Sequence, residues 1–122
     1  MPNSKPVYDL EERTFQFAKN VRIFVKQLPK TIANIEDGKQ VIRSSGSIGA
    51  NYIEANESLS RKDFLMRVKI CRKEAKESAY FLRLIHETNP ADIATEGTVL
   101  QNEAEQIKKI FSAIIEKSTP PI

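Results

Sequence analysis

The chain has 122 residues, of which 40% are hydrophobic and 29% are charged, and this composition is typical of one soluble globular domain. Its single cysteine excludes an internal disulfide and a multi-cysteine zinc site, and a formal net charge of +3 by itself indicates no partner. The apolar runs are too short to span a membrane, and residues 1–15 lack the apolar block of a secretory signal. We therefore expect a cytoplasmic protein without a membrane partner.

Apolar periodicity predicts two helices in the first half of the chain. From Tyr8 onward, apolar side chains recur at alternating steps of four and three residues, which is the period of an amphipathic helix. Pro29 cannot continue a helix, so we expect the first one to end before it. The second helix begins within residues 31–39, keeps the same stepping and runs to about Asn56.

The second half contains two further helices. The segment Ser60-Arg-Lys-Asp63 resembles a capping box at the start of the third helix. An unbroken pattern of four- and three-residue steps then extends to Ile85. Residues 86–92 have the composition of a turn, and the fourth helix covers roughly 95–117.

Four amphipathic helices with short connections predict an all-α fold, an antiparallel up-down-up-down four-helix bundle. No segment has the strict alternation of a strand. We expect a single domain over residues 1–122, with flexible ends at 1–7 and 118–122.

Several helices carry apolar residues outside the stripe that would face the bundle core. On the third helix these are Met66, Ile70, Tyr80 and Leu84, and the first and last helices add Phe15, Ala18, Ile23, Val25, Val99, Ile110 and Ala113. A second apolar edge on several helices indicates a partner surface, so we predict a homo-oligomer. The alternative is one bundle with a broad core that buries these residues internally.

The stretch RSSGSIGANYIEANES, residues 43–58, allows two interpretations of its glycines. A glycine-rich turn can bind phosphate, but this one lacks the Lys-Ser/Thr pair of a P-loop and has no strand before it. We therefore place Gly46 and Gly49 inside the second helix, where their lack of a side chain allows a neighbouring helix to come close.

A polar stripe runs along the same helix at three- and four-residue steps and consists of Ser44, Ser47, Asn51, Glu54 and Ser58. It is either a solvated face or a hydrogen-bonded strip buried at a subunit contact. In the second case Arg43 pairs with Glu54 or Asn51, because a buried carboxylate needs a partner. The candidate oligomer interface consists of Arg43, Ser47, Asn51, Glu54, Met66, Ile70, Tyr80 and Leu84.

Cationic residues recur at helical spacing on two helices. The third helix has Lys62, Lys69, Lys76 and Arg83 at intervals of seven with Lys73 beside them, and the first has Lys19, Arg22 and Lys26. The simpler interpretation is a solvated face with local pairs such as Lys73–Glu77. We predict instead that these eight residues bind nucleic acid, because an oligomer multiplies the number of phosphate contacts.

No pattern in the chain indicates catalysis, a metal site or a cofactor. His86 is the only histidine, which excludes the paired Glu-x-x-His pattern of di-iron bundles. Cys71 occupies a core-facing position and has no fixed relation to His86. Glu54, Glu74 and Glu77 are interpreted as exposed or ion-paired glutamates rather than a carboxylate cluster. We expect a protein that is not an enzyme.

The middle of the chain also carries an ordered pattern of small, polar and charged residues. It consists of Arg43, Ser47-Ile48, Ala50-Asn51, Glu54, Ser60, Lys62, Asp63-Phe64 and the run Lys73-Glu74-Ala75 with Glu77. This pattern resembles the signature half of a bacterial four-helix-bundle family named for proteins encoded in 23S rRNA intervening sequences. The similarity extends over roughly residues 8–115.

The resemblance implies a bundle that assembles into a ring, a homopentamer in known relatives, and it implies no enzymatic activity. The accessory protein of diversity-generating retroelements is a related basic barrel, so RNA or DNA and a reverse transcriptase are implied partners. Our leading hypothesis is a non-enzymatic ring that binds nucleic acid or a nucleic-acid enzyme through a basic face. The alternative is a protein–protein adaptor whose basic face is only solvated.

Overall fold

The computed structural model describes residues 9–119, which form four α-helices and no strand. Their bounds are Leu10–Lys26 for α1, Ile32–Asn56 for α2, Arg61–Glu87 for α3 and Ala91–Ser118 for α4. The end predicted to be flexible at 1–7 lies outside the described residues, and so do residues 120–122. Ser118, which was assigned to the other flexible end, is instead the last residue of α4.

The starts of α2 and α3 are determined by side chains that bind the free backbone N–H groups of the first turn. The Thr31 hydroxyl accepts a hydrogen bond from the backbone N–H of Asn34 at 3.1 Å. The Ser60 hydroxyl accepts one from the backbone N–H of Asp63 at 3.1 Å. The predicted cap at Ser60 is therefore confirmed.

The start of α4 was predicted about four residues too late. The turn before it is only residues 88–90, and Pro90 is the N-cap. Ala91 and Asp92 already lie in the first turn, where an aspartate favours the positive end of the helix dipole. Ile93 packs against the core four places before the buried Gly97, so the apolar repeat continues into this turn. The turn-like composition of residues 86–92 concealed the start of the helix.

Short connections give the helices their antiparallel order. Residues 27–31, 57–60 and 88–90 are too few to return the chain along a helix, so each helix runs back beside the one before it. α1 packs against α2 and α4, and α3 packs against the same two helices more extensively. α1 and α3 therefore lie at opposite corners, and the predicted four-helix bundle is confirmed.

The core is filled by residues at the predicted 4-3 positions. The largest fully buried side chains include Phe17, Phe24, Phe111 and Leu82, contributed by three different helices. Tyr52 packs edge-on against Phe111, with ring centroids 5.6 Å apart. Apolar residues at 3.6-residue spacing thus converge on one interior, which is the main source of the bundle's stability.

Only some of the apolar residues outside the core-facing stripes are buried, as the broad-core alternative requires. Val25 and Ile110 are partly buried and pack against the core. Others remain exposed, among them Phe15 at 58%, Met66 at 51%, Tyr80 at 60% and Val99 at 62%. No helix within residues 9–119 is both long and apolar enough to cross a lipid bilayer.

Gly46 and Gly49 lie inside α2 and face α1, as predicted. A Cβ on Gly49 would lie 3.0 Å from the Thr14 hydroxyl oxygen and 3.8 Å from the Thr14 backbone carbon. A Cβ on Gly46 would lie 3.1 Å from a guanidinium nitrogen of Arg22. The backbone here is helical throughout, so this stretch is a packing surface and not a phosphate-binding turn.

Candidate functional site

The strongest concentration of positive charge lies in a cleft between α3 and α4. The cleft has a volume of about 420 Å³ and is lined by Lys69, Arg72, Lys73, Lys76, Lys108 and Ser112. Arg72, Lys73 and Lys76 follow Lys69 by three, four and seven residues, so all four side chains lie on one side of α3. Packing of α4 beside that sector adds Lys108, and five cationic side chains meet around one opening.

Most of this charge is not neutralised by neighbouring carboxylates. The Lys108 Nζ pairs with Glu105 at 3.0 Å, and the Lys73 Nζ reaches Glu74 at only 4.0 Å. The Lys73–Glu77 pair, which the simpler solvated-face interpretation would provide, does not form. Among the described residues, the other three cations of the cleft, Lys69, Arg72 and Lys76, make no ion pair. The cleft therefore has a local positive field that attracts anions.

In the predicted row of cations along α3, the first and last residues lie outside the cleft. Lys62 is exposed in the first turn of α3, whereas Lys69 and Lys76 line the cleft. The Arg83 Nε donates to the Glu87 carboxylate at 2.9 Å, so its charge is already paired. This hydrogen bond lowers the pKa of Glu87 and raises that of Arg83.

The predicted cations of α1 lie on a different surface. Lys19, Arg22 and Lys26 line a groove of about 630 Å³ between α1 and α2. Because α1 and α3 occupy opposite corners, this groove and the α3–α4 cleft open on opposite sides of the bundle. The eight residues predicted to bind nucleic acid therefore do not form one continuous face.

Two members of the cleft, Arg72 and Lys108, were missed by sequence reasoning. Arg72 follows Lys69 by three places, so helical spacing alone was sufficient to include it. Lys108 has no such signal, because its contribution depends on how α4 packs against α3.

The polar stripe of α2 faces α3 for part of its length. Ser44 is fully buried, and its hydroxyl lies 2.8 Å from the hydroxyl of Ser78. Arg67 donates to the Asn51 Oδ1 at 3.0 Å, while the Asn51 amide nitrogen donates to the hydroxyl and carbonyl oxygens of Ser47. The solvated-face interpretation is therefore wrong for Ser44, whose partners lie within the same bundle.

Within the chain, Arg43 pairs with neither Glu54 nor Asn51, the partners offered by the buried-strip interpretation. Its guanidinium donates to Glu77 and, at 3.3 Å, to Glu74, both on α3. The hydrogen bond to Glu77 is the main reason that the pKa of Arg43 is raised. The Glu74 side chain is only 7% exposed, so Arg43 supplies the counter-charge that this buried carboxylate needs. Residue spacing could not reveal this contact, because spacing reports on neighbours within one helix and the contact joins α2 to α3.

The remaining members of the candidate interface lie at the surface to different degrees. Glu54, Met66 and Tyr80 are exposed, while Ile70 and Leu84 are half-buried. Tyr80 packs edge-on against Phe81, with ring centroids 5.3 Å apart. These α3 residues follow the same outward side as the cationic line, so an oligomer contact made there would lie next to the positive cleft.

The two residues with the greatest potential for covalent or acid–base chemistry are Cys71 and His86. Cys71 is buried, its Sγ lies 3.4 Å from the Ile48 carbonyl oxygen, and burial raises its pKa to about 12. The His86 Nε2 lies 2.6 Å from the Gln101 side-chain oxygen. No three His, Cys, Asp or Glu side chains in the part of the chain that the structure describes lie close enough together to hold a metal ion.

Comparison with protein families decides where this bundle belongs. A family model described as 23S rRNA-intervening sequence protein matches residues 8–113. The chain belongs to this family. The resemblance carried by residues 43–85 is thereby confirmed.

One solved structure has a similar fold. It is a Bacteroides thetaiotaomicron protein described as having unknown function and as a member of the S23 ribosomal protein family. It is 30% identical and superposes with a TM-score of 0.70, over 86% of this chain and 96% of its own. Among curated proteins, none matches the chain. Neither the family description nor this relative's assigns an enzymatic activity.

Proposed function

We propose that this protein is a non-enzymatic, ring-forming helical bundle that binds nucleic acid through the α3–α4 cleft. The observation that carries the proposal is the group of five cationic side chains around one cleft. Ammonium and guanidinium groups bind phosphate oxygens and release condensed counterions, which is the main source of sequence-independent affinity for RNA and DNA.

The three cations of the cleft without an ion pair determine the expected salt response. Each phosphate contact on duplex DNA contributes a slope of about −0.9 to the dependence of log K on log salt. Lys69, Arg72 and Lys76 alone therefore predict a slope of roughly −3 per protomer. A ring that places several clefts on one strand would steepen the slope in proportion to the clefts engaged.

The experiment is a titration of labelled single-stranded RNA and duplex DNA, followed by fluorescence anisotropy across a salt series. We expect the double substitution Lys69→Glu/Lys76→Glu to abolish binding. Lys30→Glu/Lys39→Glu is the matched control, because it changes the net charge equally at exposed positions near the α1–α2 connection. Equal losses in the two variants, or binding that ignores salt, would contradict the proposal.

Two observations support the proposal of a ring, namely the exposed apolar residues of α3 and the family to which the chain belongs. We propose that Met66, Ile70, Tyr80 and Leu84 contribute to the contact between protomers, because two of them remain exposed in the single chain. Light scattering should return a multiple of 13.9 kDa, about 70 kDa for a pentamer. A particle of monomer mass at micromolar concentration would exclude the ring.

A protein–protein adaptor is the second candidate, and the exposed apolar groove between α1 and α2 favours it. In this role the α3–α4 cleft is merely solvated and the titrations above show no binding. A reverse transcriptase or another nucleic-acid enzyme in the cytoplasm is the protein partner that we propose for the first role, in which the basic face binds it. Co-purification of such an enzyme with the native protein tests this.

A further inference from the structure

The α1–α2 groove has an apolar interior that the bundle itself does not cover. Phe15 and Ile23 of α1 and Ile53 of α2 line it and are 58%, 43% and 49% exposed. Ala18 and Ala50 extend the apolar surface between them. Three large apolar side chains in one groove form a continuous patch, which is the usual mark of a binding site for a partner.

The depth of this groove comes from the glycines of α2. Gly46 and Gly49 form part of its lining, so backbone takes the place that side chains would fill. Thr14 lies against Gly49 and closes the bottom of the groove. An apolar side chain from another molecule can therefore enter between the walls formed by Phe15 and Ile53.

The charged residues of the groove are predominantly positive. Lys19, Arg22 and Lys26 follow one another along α1 at steps of three and four residues. Glu11 is the single acidic member, and its carboxylate already accepts a hydrogen bond from the Asn56 amide at 2.8 Å. Acidic groups at the same helical spacing would match these three cations.

The length of the groove indicates the shape of its occupant. It extends along α1 from Glu11 to Lys26, and fifteen residues at 1.5 Å per residue give about 22 Å. This is the length of a helix of about four turns. A nucleic-acid backbone would leave the apolar walls unused, whereas an amphipathic helix buries them.

We propose that the α1–α2 groove docks an amphipathic helix of a partner protein that carries Asp or Glu beside its apolar face. Apolar side chains at i, i+3 or i+4, and i+7 of that helix pack against Phe15, Ile23 and Ile53. Its carboxylates face Lys19, Arg22 and Lys26. The charges determine orientation and partner choice, and burial of the apolar side chains provides the affinity.

Helices α3 and α4 of a second copy of this chain do not offer such a helix. On α4, Val99 is the single exposed large apolar residue. On α3, the exposed Met66 and Tyr80 stand among lysines, which Lys19 and Lys26 would repel. α1 of a second copy carries the same three cations beside its apolar residues, and besides Ile53 of the groove itself α2 exposes Ile32 and Ile35 only in its first turn. A different protein therefore fits the groove better than a second copy does, and the groove is distinct from the ring contact proposed above.

Two synthetic peptides of 18 residues test the proposal on the full chain. Both carry leucines on one helical face, and they differ only in having Glu or Lys beside that face. By fluorescence anisotropy we expect the Glu peptide to bind at least tenfold more tightly than the Lys peptide. Phe15→Ser/Ile53→Ser and Lys19→Gln/Lys26→Gln should each weaken its binding tenfold or more, with Val99→Ser as an exposed apolar control.

Four results would overturn the proposal. They are equal affinity for the two peptides, no binding of either, no effect of the groove substitutions, and competition by RNA that Lys19→Gln/Lys26→Gln abolishes. A change of assembly mass in Phe15→Ser/Ile53→Ser would assign the groove to a second copy instead. Lys69→Glu/Lys76→Glu should leave peptide binding intact, so this proposal and the nucleic-acid proposal can fail separately.

Discussion

α3 and α4 approach each other closely at Gly97, and substitution by alanine tests that approach. Gly97 is buried in α4, and a Cβ built on it would lie 2.6 Å from the His86 Cβ and 3.2 Å from the Phe24 ring. Its distance from the His86 Cα would be 3.6 Å. The crowding atom is attached directly to the α3 backbone, so a side-chain rotation cannot relieve it.

Two opposing effects determine the change in the free energy of unfolding. Alanine favours a helix over glycine by about 1 kcal/mol. Carbon atoms normally pack at about 3.5–4.0 Å, so the new methyl group must push α3 and α4 apart by about 1 Å. Overpacking of this kind destabilises a core by about 1–3 kcal/mol. The net expectation for Gly97→Ala is a loss of about 1 kcal/mol, or roughly 4 °C in Tm for a domain of this size.

Gly46→Ala is the matched control, because it makes the same chemical change in another helix. Its new Cβ would meet only the end of the Arg22 side chain, at 3.1 Å, and that long side chain can move. The helix preference then dominates, and we expect stabilisation of about 0.5–1 kcal/mol. Urea unfolding followed by circular dichroism at equal protein concentration measures both values, because an oligomer's stability depends on concentration.

The two substitutions should therefore shift stability in opposite directions. Equal stabilisation by both substitutions would contradict the expected overpacking, because it would mean that α3 and α4 do not approach so closely at Gly97 in solution. Equal destabilisation would mean instead that the groove lining at Gly46 is packed as tightly as the α3–α4 contact.

Three further expectations concern the buried polar groups. Arg43→Met should lower the free energy of unfolding by about 1–2 kcal/mol, measured by urea unfolding, because buried Glu74 loses its main counter-charge while the half-exposed arginine limits the effect. Ser44→Ala and Ser78→Ala should each be destabilising, and their double-mutant cycle should give a coupling of about 1 kcal/mol. At pH 8 the thiolate fraction of native Cys71 should be about a thousandfold below that of the unfolded chain, so iodoacetamide should label it only after unfolding.

Each of these expectations has a result that would contradict it. Arg83→Met removes an exposed ion pair and should leave the free energy of unfolding unchanged. If Arg43→Met also left it unchanged, Glu74 would have to be solvated. Additive effects at Ser44 and Ser78 would show that the two hydroxyls do not share a hydrogen bond. Rapid labelling of the native protein would show that Cys71 is reached by solvent.

The helices and most of the core could be predicted from local sequence alone. A 4-3 apolar repeat requires only that one face of a helix be buried, and Ser60 and Pro29 act within a few residues of a helix end. The same local logic placed Gly46 and Gly49 inside α2. It failed at the start of α4, where the turn-like composition of residues 86–92 concealed a helix whose apolar repeat already includes Ile93.

The candidate sites could be predicted only in part. Helical spacing brought Lys69, Lys73 and Lys76 together correctly, because all three belong to one helix. Spacing could not show that Lys19 and Lys26 face the opposite side of the bundle, since the relative positions of two helices depend on their packing. The partners of Arg43 were missed for the same reason.

The number of helices, the faces that they bury and the family to which the chain belongs can all be predicted from the sequence alone. These properties depend on side chains within a few turns of one another along one helix. The tertiary structure decided which charges share a surface and which remain without an ion pair. Those properties depend on contacts between helices that are distant in sequence, and the close approach at Gly49, the Arg43–Glu74 pair and the five-cation cleft all arise in this way.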